Sequence, residues 1–124
     1  MNSYDTMQQL NPRAIFGREE GKQIIIEDVK DPDGRWYRIE YKCNSDGSST
    51  TARVLYNPWG SNPYSWGESH LSPSGEICLG NGAHQNPSPF TLDFAVRRAR
   101  FWCMGYSFLR EKGYERVKQA IPGW

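Results

Sequence analysis

The chain of 124 residues is long enough for one domain and too short for a second sizeable core. A formal net charge of +1 gives no overall electrostatic basis for binding nucleic acid or a membrane surface, and an aromatic content of 14% is too high for a disordered chain. Three cysteines without paired spacing favour a reducing compartment over a disulfide framework. We therefore predict one cytoplasmic domain over residues 1–124, with neither a signal peptide nor a membrane span.

The first half of the chain predicts a three-stranded antiparallel meander. Residues 1–22 are polar and poorly patterned, with at most one helical turn over residues 7–10. A β-branched run at 23–29 is strand-like. Apolar and charged residues then alternate over 37–43, and the alternation returns over 52–57, as expected for strands that are buried on one face. Turn-forming residues separate these runs.

A segment without regular structure is predicted from residue 58 to residue 89, and helices follow it. The segment contains five of the eight prolines, and such long irregular stretches in compact domains are usually functional. Thr91 is a good N-cap for a long helix with an apolar stripe that ends at Gly113, and a short helix follows over 114–120. The order of strands, loop and helices predicts an α+β fold, with the helices packed on one face of the sheet.

Cys78 lies in the irregular segment, between Ile77 and Leu79 and close to glycines on both sides. Glycines expose the backbone around a thiol, which a cysteine needed only for packing does not require. The alternative is a small buried side chain, the usual fate of a free cysteine. The pattern favours a nucleophile, which would act as the thiolate. Cys43 and Cys103 fall on apolar faces, and we predict that both belong to the core.

The two histidines lie on either side of this thiol, His70 eight residues before it and His84 six residues after it. Histidine exchanges protons near neutral pH, so His84 is a candidate base for an attacking amine; the alternative is a loop residue that bonds only to backbone. Residues 80–82 read Gly-Asn-Gly, and their N–H groups and the Asn81 amide are candidate donors to an oxyanion. They would equally suit a simple turn. A zinc site at Cys78 and the two histidines lacks an evident fourth ligand.

Two further groups of residues have alternative interpretations. The first is a basic group early in the long helix, which we expect to form a solvated face, although it could dock an acidic partner: Arg97, Arg98 and Arg100. The second is a group of aromatic residues in the Pro-rich segment, which either anchor a partner or form a lid over the sheet: Trp59, Tyr64 and Trp66.

The element order and the residues around Cys78 resemble the ubiquitin-conjugating enzyme fold. In that family a meander leads to a Pro-rich segment, a His-containing motif, Gly-x-Ile-Cys-Leu, and a helix that opens after a Pro and a Thr-Leu pair. These features correspond to residues 57–59, His70, residues 75–79 and residues 88–92. The match covers about residues 23–112.

This sequence departs from the family pattern at several positions. The His-Pro-Asn motif reads His70-Leu71-Ser72, and the gap to the cysteine is two residues shorter. The N-terminal helix is short or absent, and Gly80 replaces the acidic residue that commonly follows Cys-Leu. The chain is therefore more similar to divergent bacterial members, which occur in anti-phage operons such as the cyclic-oligonucleotide (CBASS) systems.

The resemblance implies a transferase. Cys78 would carry the C-terminus of a ubiquitin-like protein or of a nucleotidyltransferase as a thioester and pass it to a lysine amine, and His70 would be mostly structural. An activating enzyme or an activated donor would be a separate partner, and no metal or organic cofactor would be needed. Two alternatives stay open: a non-catalytic protein-binding module on the same fold, and a cysteine hydrolase that uses Cys78 and His84.

Overall fold

The computed structural model describes residues 1–124 as four strands and four helices. The elements are α1 Ser3–Leu10, β1 Ile15–Glu19, β2 Lys22–Lys30, β3 Trp36–Cys43, β4 Thr51–Tyr56, α2 Trp66–Ser69, α3 Leu92–Lys112 and α4 Tyr114–Ala120. The strands lie side by side in chain order, and each neighbouring pair is antiparallel. The predicted α+β class and the antiparallel meander are confirmed, but the sheet has four strands rather than three.

The N-terminal segment is more regular than the sequence predicts. In place of one turn at residues 7–10, α1 has eight residues, because Asn2 caps it by accepting a hydrogen bond from the Asp5 N–H at 2.8 Å. The sequence also predicts no strand before residue 23, yet β1 pairs with β2 through a turn at Glu20 and Gly21. Both turn residues have positive φ, as two-residue hairpin turns require. The prediction of at most one helical turn over residues 1–22 is therefore wrong, although their sequence is poorly patterned.

One face of the sheet packs against α3, and this contact forms the core. The inward residues of β3 are fully buried, including Tyr37 and Cys43, as is the predicted stripe of α3 from Ala95 to Tyr106. The predicted core positions of Cys43 and Cys103 are confirmed. Burial raises the pKa of both thiols, so they remain protonated at neutral pH. No helix combines the length and apolar character that crossing a bilayer requires.

The predicted ends of α3 at Thr91 and Gly113 and the predicted helix over 114–120 are confirmed, and the details of three boundaries are new. The alternation over 52–57 breaks at a β-bulge opposite Arg38 and Ile39, which leaves Tyr56 58% exposed. Thr91 is the N-cap of α3, but its hydroxyl donates to the Asp93 carboxylate at 2.8 Å rather than accepting from backbone. Gly113, with φ of +93°, both ends α3 and begins α4, so the two helices follow each other without a loop.

Two buried carboxylates connect helix α3 to the sheet. Glu27 on β2 accepts hydrogen bonds from Arg100 on α3 at 2.7 Å and from the Tyr41 hydroxyl at 2.6 Å. Asp31 accepts from Ser107 on α3 at 2.7 Å and from the Arg35 backbone N–H at 2.8 Å. The prediction that Arg100 belongs to a solvated face is therefore wrong, because its guanidinium neutralises a buried charge.

Candidate functional site

The segment from residue 58 to residue 89 contains more structure than the sequence predicts. Helix α2 begins at a capping box, in which the Ser65 hydroxyl accepts from the Glu68 N–H and the Glu68 carboxylate accepts from the Ser65 N–H. Isolated β-bridges join Leu71 to Ile77 and Arg53 to Glu76. The prediction of a wholly irregular segment is therefore wrong, and these contacts hold the Cys78 region against the edge strand β4.

Backbone hydrogen bonds and two buried side chains fix the position of Cys78. Its N–H donates to the carbonyl of His70 at 2.9 Å, and the Ile77 N–H donates to the Ala52 carbonyl of β4 at the same distance. Ile77 and Leu79 on either side are buried, so the backbone is anchored while the thiol between them is partly exposed. The Sγ atom lies 4.0 Å from the carbonyl oxygen of Gly80, a loose contact that leaves it room to react.

Two clefts meet at Cys78. The first, here called the Trp124 cleft, has a volume of about 230 Å³, and its walls are His70, Cys78, Gly80, Asn81, Arg98, Phe101, Trp102, Gly123 and Trp124. The second, here called the His84 cleft, has a volume of about 480 Å³, and its walls are Lys42, Thr51, Trp66, Glu76, Ile77, Cys78, Ala83, His84, Gln85 and Asn86. Cys78 thus contributes to the walls of two clefts.

The His70 ring makes a structural contact with Trp124. It ends α2 in the left-handed conformation, with φ of +54°. Its Nε2 lies 2.7 Å from the Trp124 carbonyl oxygen, and the two rings meet edge to face with centroids 4.9 Å apart. The His70 ring therefore orients Trp124, while its backbone carbonyl holds Cys78.

His84 lies on the opposite side of the thiol. Its exposed ring meets the Trp66 ring edge to face at 4.5 Å, and no hydrogen bond holds either ring nitrogen. No carboxylate orients the imidazole, so the third group that a Cys-His hydrolase would use is absent. His84 and Cys78 do both line the His84 cleft.

The Gly-Asn-Gly segment is a turn with free N–H groups. The carbonyls of Gly80 and Gly82 accept hydrogen bonds from the N–H groups of Ala83 at 3.1 Å and Gln85 at 2.9 Å. The N–H groups of residues 80–82 have no intramolecular acceptor, and both glycines have positive φ. Asn81 is exposed and lines the Trp124 cleft. The predicted turn and the predicted oxyanion donors are thus compatible in one segment.

The aromatic residues of this segment divide between the two roles considered for them. Trp59 and Tyr64 are partly buried against the core, where the Trp59 indole N–H donates to the Tyr37 hydroxyl at 3.0 Å. These two form a lid. Trp66 is 40% exposed and forms a wall of the His84 cleft. Trp124 could not be predicted as a site residue, because the residues after α4 contain a proline and a glycine and show no periodicity.

Comparison with protein-family models, curated proteins and solved structures finds no match to this chain. No three side chains of His, Cys, Asp or Glu are placed to share a metal ion. The geometry around Cys78 is therefore the basis for assigning a function.

Proposed function

We propose that this protein is a thioester carrier of the ubiquitin-conjugating type, in which Cys78 accepts an activated protein C-terminus and transfers it to a lysine amine. The observation that carries the proposal is the position of this thiol: of three cysteines it alone is accessible, and it lies where two clefts meet. The order of antiparallel meander, cysteine loop and C-terminal helices supports a ubiquitin-conjugating-type fold.

The first step is an exchange of acyl groups between sulfur atoms. The Cys78 thiolate attacks the carbonyl carbon of the donor's activated C-terminus, here taken as a thioester, and a carbon–sulfur bond forms. The carbonyl oxygen becomes an oxyanion, which the N–H groups of residues 80–82, free of intramolecular acceptors, and the Asn81 amide would stabilise. The original carbon–sulfur bond then breaks, and the donor's thiolate leaves and takes up a proton from solvent.

The second step transfers the acyl group to an amine. A neutral lysine amine enters the His84 cleft and attacks the carbonyl carbon of the Cys78 thioester. An amide bond forms, the carbon–sulfur bond breaks, and the electron pair returns to sulfur as the thiolate. The proton that the amine loses passes to His84, which faces the same cleft, and from there to solvent.

The partners of this reaction belong to the same proposal. The donor would be a ubiquitin-like protein or the C-terminus of a nucleotidyltransferase in a bacterial anti-phage system. An activating enzyme or an already activated donor would supply the thioester, since the chain has no Gly-rich phosphate-binding loop. The reaction would take place in the cytoplasm, where thiols stay reduced.

A short peptide with a C-terminal mercaptoethanesulfonate thioester tests the first step without a cognate donor. We expect intact-mass spectrometry to show one acyl group on the wild-type protein, at Cys78, that hydroxylamine removes. Cys78→Ala should acquire none, and Cys78→Ser should form a slower ester that resists thiols. Addition of free lysine to the charged wild-type protein should release a peptide–lysine amide.

Any exposed thiol exchanges slowly with thioesters, so the control is the double variant Cys78→Ala, Ser74→Cys. It moves the thiol to an exposed position in the same loop, away from both clefts. Oxyanion donors typically contribute about a hundredfold in rate, so Cys78 should react at least about that much faster than the displaced thiol. Equal rates of charging and of lysine discharge would refute the transferase and favour the binding module.

A further inference from the structure

A further cavity, here called the Trp36 pocket, opens on the face of the sheet that α3 does not cover. Its volume of about 630 Å³ is larger than that of either cleft at Cys78. Pockets that bind small organic ligands typically have volumes of about 300–1,000 Å³. The walls of this pocket include Asn11, Arg13, Asp28, Trp36, Arg38 and Tyr56. None of these residues lines a cleft at Cys78, so an inference from this pocket does not depend on the proposed function.

Strand alternation and a β-bulge place two aromatic rings on this face. Trp36 and Arg38 alternate with the buried residues of β3, so both belong to the exposed face. Tyr56 lies directly opposite Arg38, and residues directly opposite each other share a face. Without the bulge, Tyr56 would follow Ala52 and Val54 toward the core, and bulges commonly redirect a side chain in this way. The rings of Trp36 and Tyr56 are 51% and 58% exposed.

The space between these two rings has the width of one planar ring. Trp36 and Tyr56 are diagonal neighbours on β3 and β4, and the Cβ atoms of such neighbours are about 7–8 Å apart. A ring that contacts an aromatic face on both sides at about 3.5–4.0 Å requires the same separation. Arg38 lies in the row between them, but its Nε and Nη2 atoms donate to Asp28 on β2, at 2.8 Å and 3.2 Å. The protein therefore leaves this space unfilled.

The charges around this space favour an anionic ligand. Arg38 neutralises the Asp28 carboxylate, whereas the Arg13 guanidinium has neither an ion pair nor a hydrogen bond within the protein. The Lys30 ammonium, 5.4 Å from the centroid of the Trp36 ring, adds a second positive charge. An aromatic pair alone would suit a cation, but this excess of positive charge would repel one. The pocket therefore suits a planar ring that is joined to an anionic group.

We propose that the Trp36 pocket binds a nucleoside monophosphate, with its base between Trp36 and Tyr56 and its phosphate bonded to Arg13. The half-exposed Arg38–Asp28 pair beside the base presents donors next to acceptors, which match the mixed donors and acceptors along a nucleobase edge. The phenyl ring of an acidic peptide has no such edge. The ligand is a free nucleotide rather than a nucleic acid, because a net charge of +1 gives no attraction for a long polyanion.

Titration of the isotope-labelled full chain with AMP, followed by two-dimensional NMR, tests this proposal. We expect the indole N–H signal of Trp36, identified by its loss in Trp36→Phe, to shift with a dissociation constant of about 1 mM or lower. The indole of Trp66, which is 40% exposed, is the internal control and should not shift. Adenosine, which lacks the phosphate, should bind about fivefold more weakly, the scale of an exposed charge pair. Inorganic phosphate alone should not shift the Trp36 signal.

Variants locate the site, with the backbone amide signal of Arg38 as the reporter. Trp36→Ala should weaken AMP binding by about tenfold or more, the usual effect of removing a stacked ring, and Arg13→Ala by about fivefold. The matched controls are Phe94→Ala, which removes a 41% exposed ring on α3, and Arg18→Ala, which removes an exposed guanidinium on β1. Both should bind AMP as the wild type does. All four side chains are exposed, so each variant should fold.

Two results would overturn the nucleotide site. In the first, AMP, GMP and UMP all leave the Trp36 signal in place, or a glutamate-rich peptide shifts it when no nucleotide does. In the second, Trp36→Ala binds AMP as tightly as Phe94→Ala. Neither result would bear on the acylation of Cys78, which is measured separately.

Discussion

Polar side chains on the buried face of the sheet differ in burial and hydrogen bonding from those in the walls of the two clefts. Glu27 and Asp31 are almost inaccessible, and each carboxylate has several donors; no buried side-chain polar atom lacks a partner. In the clefts, the side chains of Glu76, His84 and Asn81 are exposed and make no hydrogen bond. The difference separates groups that are used in folding from groups that remain available to a ligand.

The largest effect on stability should follow removal of the Glu27 carboxylate. Glu27→Ala leaves the Arg100 guanidinium, which lies 2.7 Å from it and is 36% exposed, without its counter-charge. Breaking a buried pair costs about 3–5 kcal/mol, and the partial exposure of Arg100 places our expectation near the lower end. Urea denaturation measures the loss. The control is Asp28→Ala on the same strand, whose pair with Arg38 is about half exposed on both sides and should contribute less than about 1 kcal/mol. Similar losses of unfolding free energy in Glu27→Ala and Asp28→Ala would contradict the contrast between the buried and the exposed ion pair.

A cleft residue should show the reverse pattern, with a large effect on the reaction and almost none on folding. We expect Asn81→Ala to slow thioester exchange at Cys78 by about a hundredfold, the usual cost of losing one oxyanion donor. Its free energy of unfolding should change by less than about 0.5 kcal/mol, because the side chain is exposed. Asn86→Ala, which lies in the His84 cleft, is the control. A loss as small as that of the control would leave the backbone N–H groups as the only donors.

The parts of the fold that follow from sequence are those where burial imposes a period. The alternation in β3 and the stripe of α3 both face the core, so each appears in the sequence as predicted. β1 has no such period, because four of its five residues are exposed and the strand is held chiefly by backbone pairing with β2. The sequence therefore predicts the sheet and helix layers of the fold but not the edge strand β1.

The site, like the fold, could be predicted from the sequence only where its features depend on neighbouring residues. Glycines on both sides of Cys78 indicated an accessible thiol, since they report on the local backbone. The separation of His70 and His84 onto different sides of it depends on contacts distant in sequence, such as that of His70 with Trp124, 54 residues later. No local pattern encodes such a contact, or the packing of the Trp124 indole against Gly105, where a Cβ atom would overlap the ring.

The second carboxylate of the core gives a prediction about pH. Burial alone would raise the pKa of Asp31, but hydrogen bonds from Ser107 and Arg35 outweigh it and hold the pKa below its ordinary value of 3.8. The folded state then binds fewer protons than the unfolded state, so Asp31 contributes stability above about pH 4 that is lost as the pH falls through the folded pKa. We expect Asp31→Asn to cost about 2 kcal/mol at pH 7 and to show a shallower acid loss. If the unfolding free energies of the wild type and of Asp31→Asn ran parallel from pH 7 to pH 2, this prediction would be wrong.

The smallest effect should come from removing the charge of the Glu76 carboxylate. This change tests whether the acceptor lysine enters through the His84 cleft. This exposed carboxylate has no ion-pair partner and faces the cleft together with Trp66 and the ammonium of Lys42. A lysine acceptor arrives as an ammonium ion, which an acidic side chain attracts and an aromatic face favours. Glu76→Gln should therefore slow discharge of the Cys78 thioester to lysine by about fivefold, the scale of a surface charge pair.

Hydroxylamine, which is neutral at pH 7, separates charge attraction from chemistry. Discharge of the same thioester to hydroxylamine should be unchanged in Glu76→Gln, and high salt should reduce the difference between wild type and variant with lysine. Glu20→Gln, an exposed carboxylate in the β1–β2 turn, should alter neither rate. If both nucleophiles slow equally, Glu76 acts on the geometry of the loop rather than on the acceptor. If neither slows, the acceptor does not pass this carboxylate, and the contrast between the core and the clefts would then reduce to Asn81 and His84.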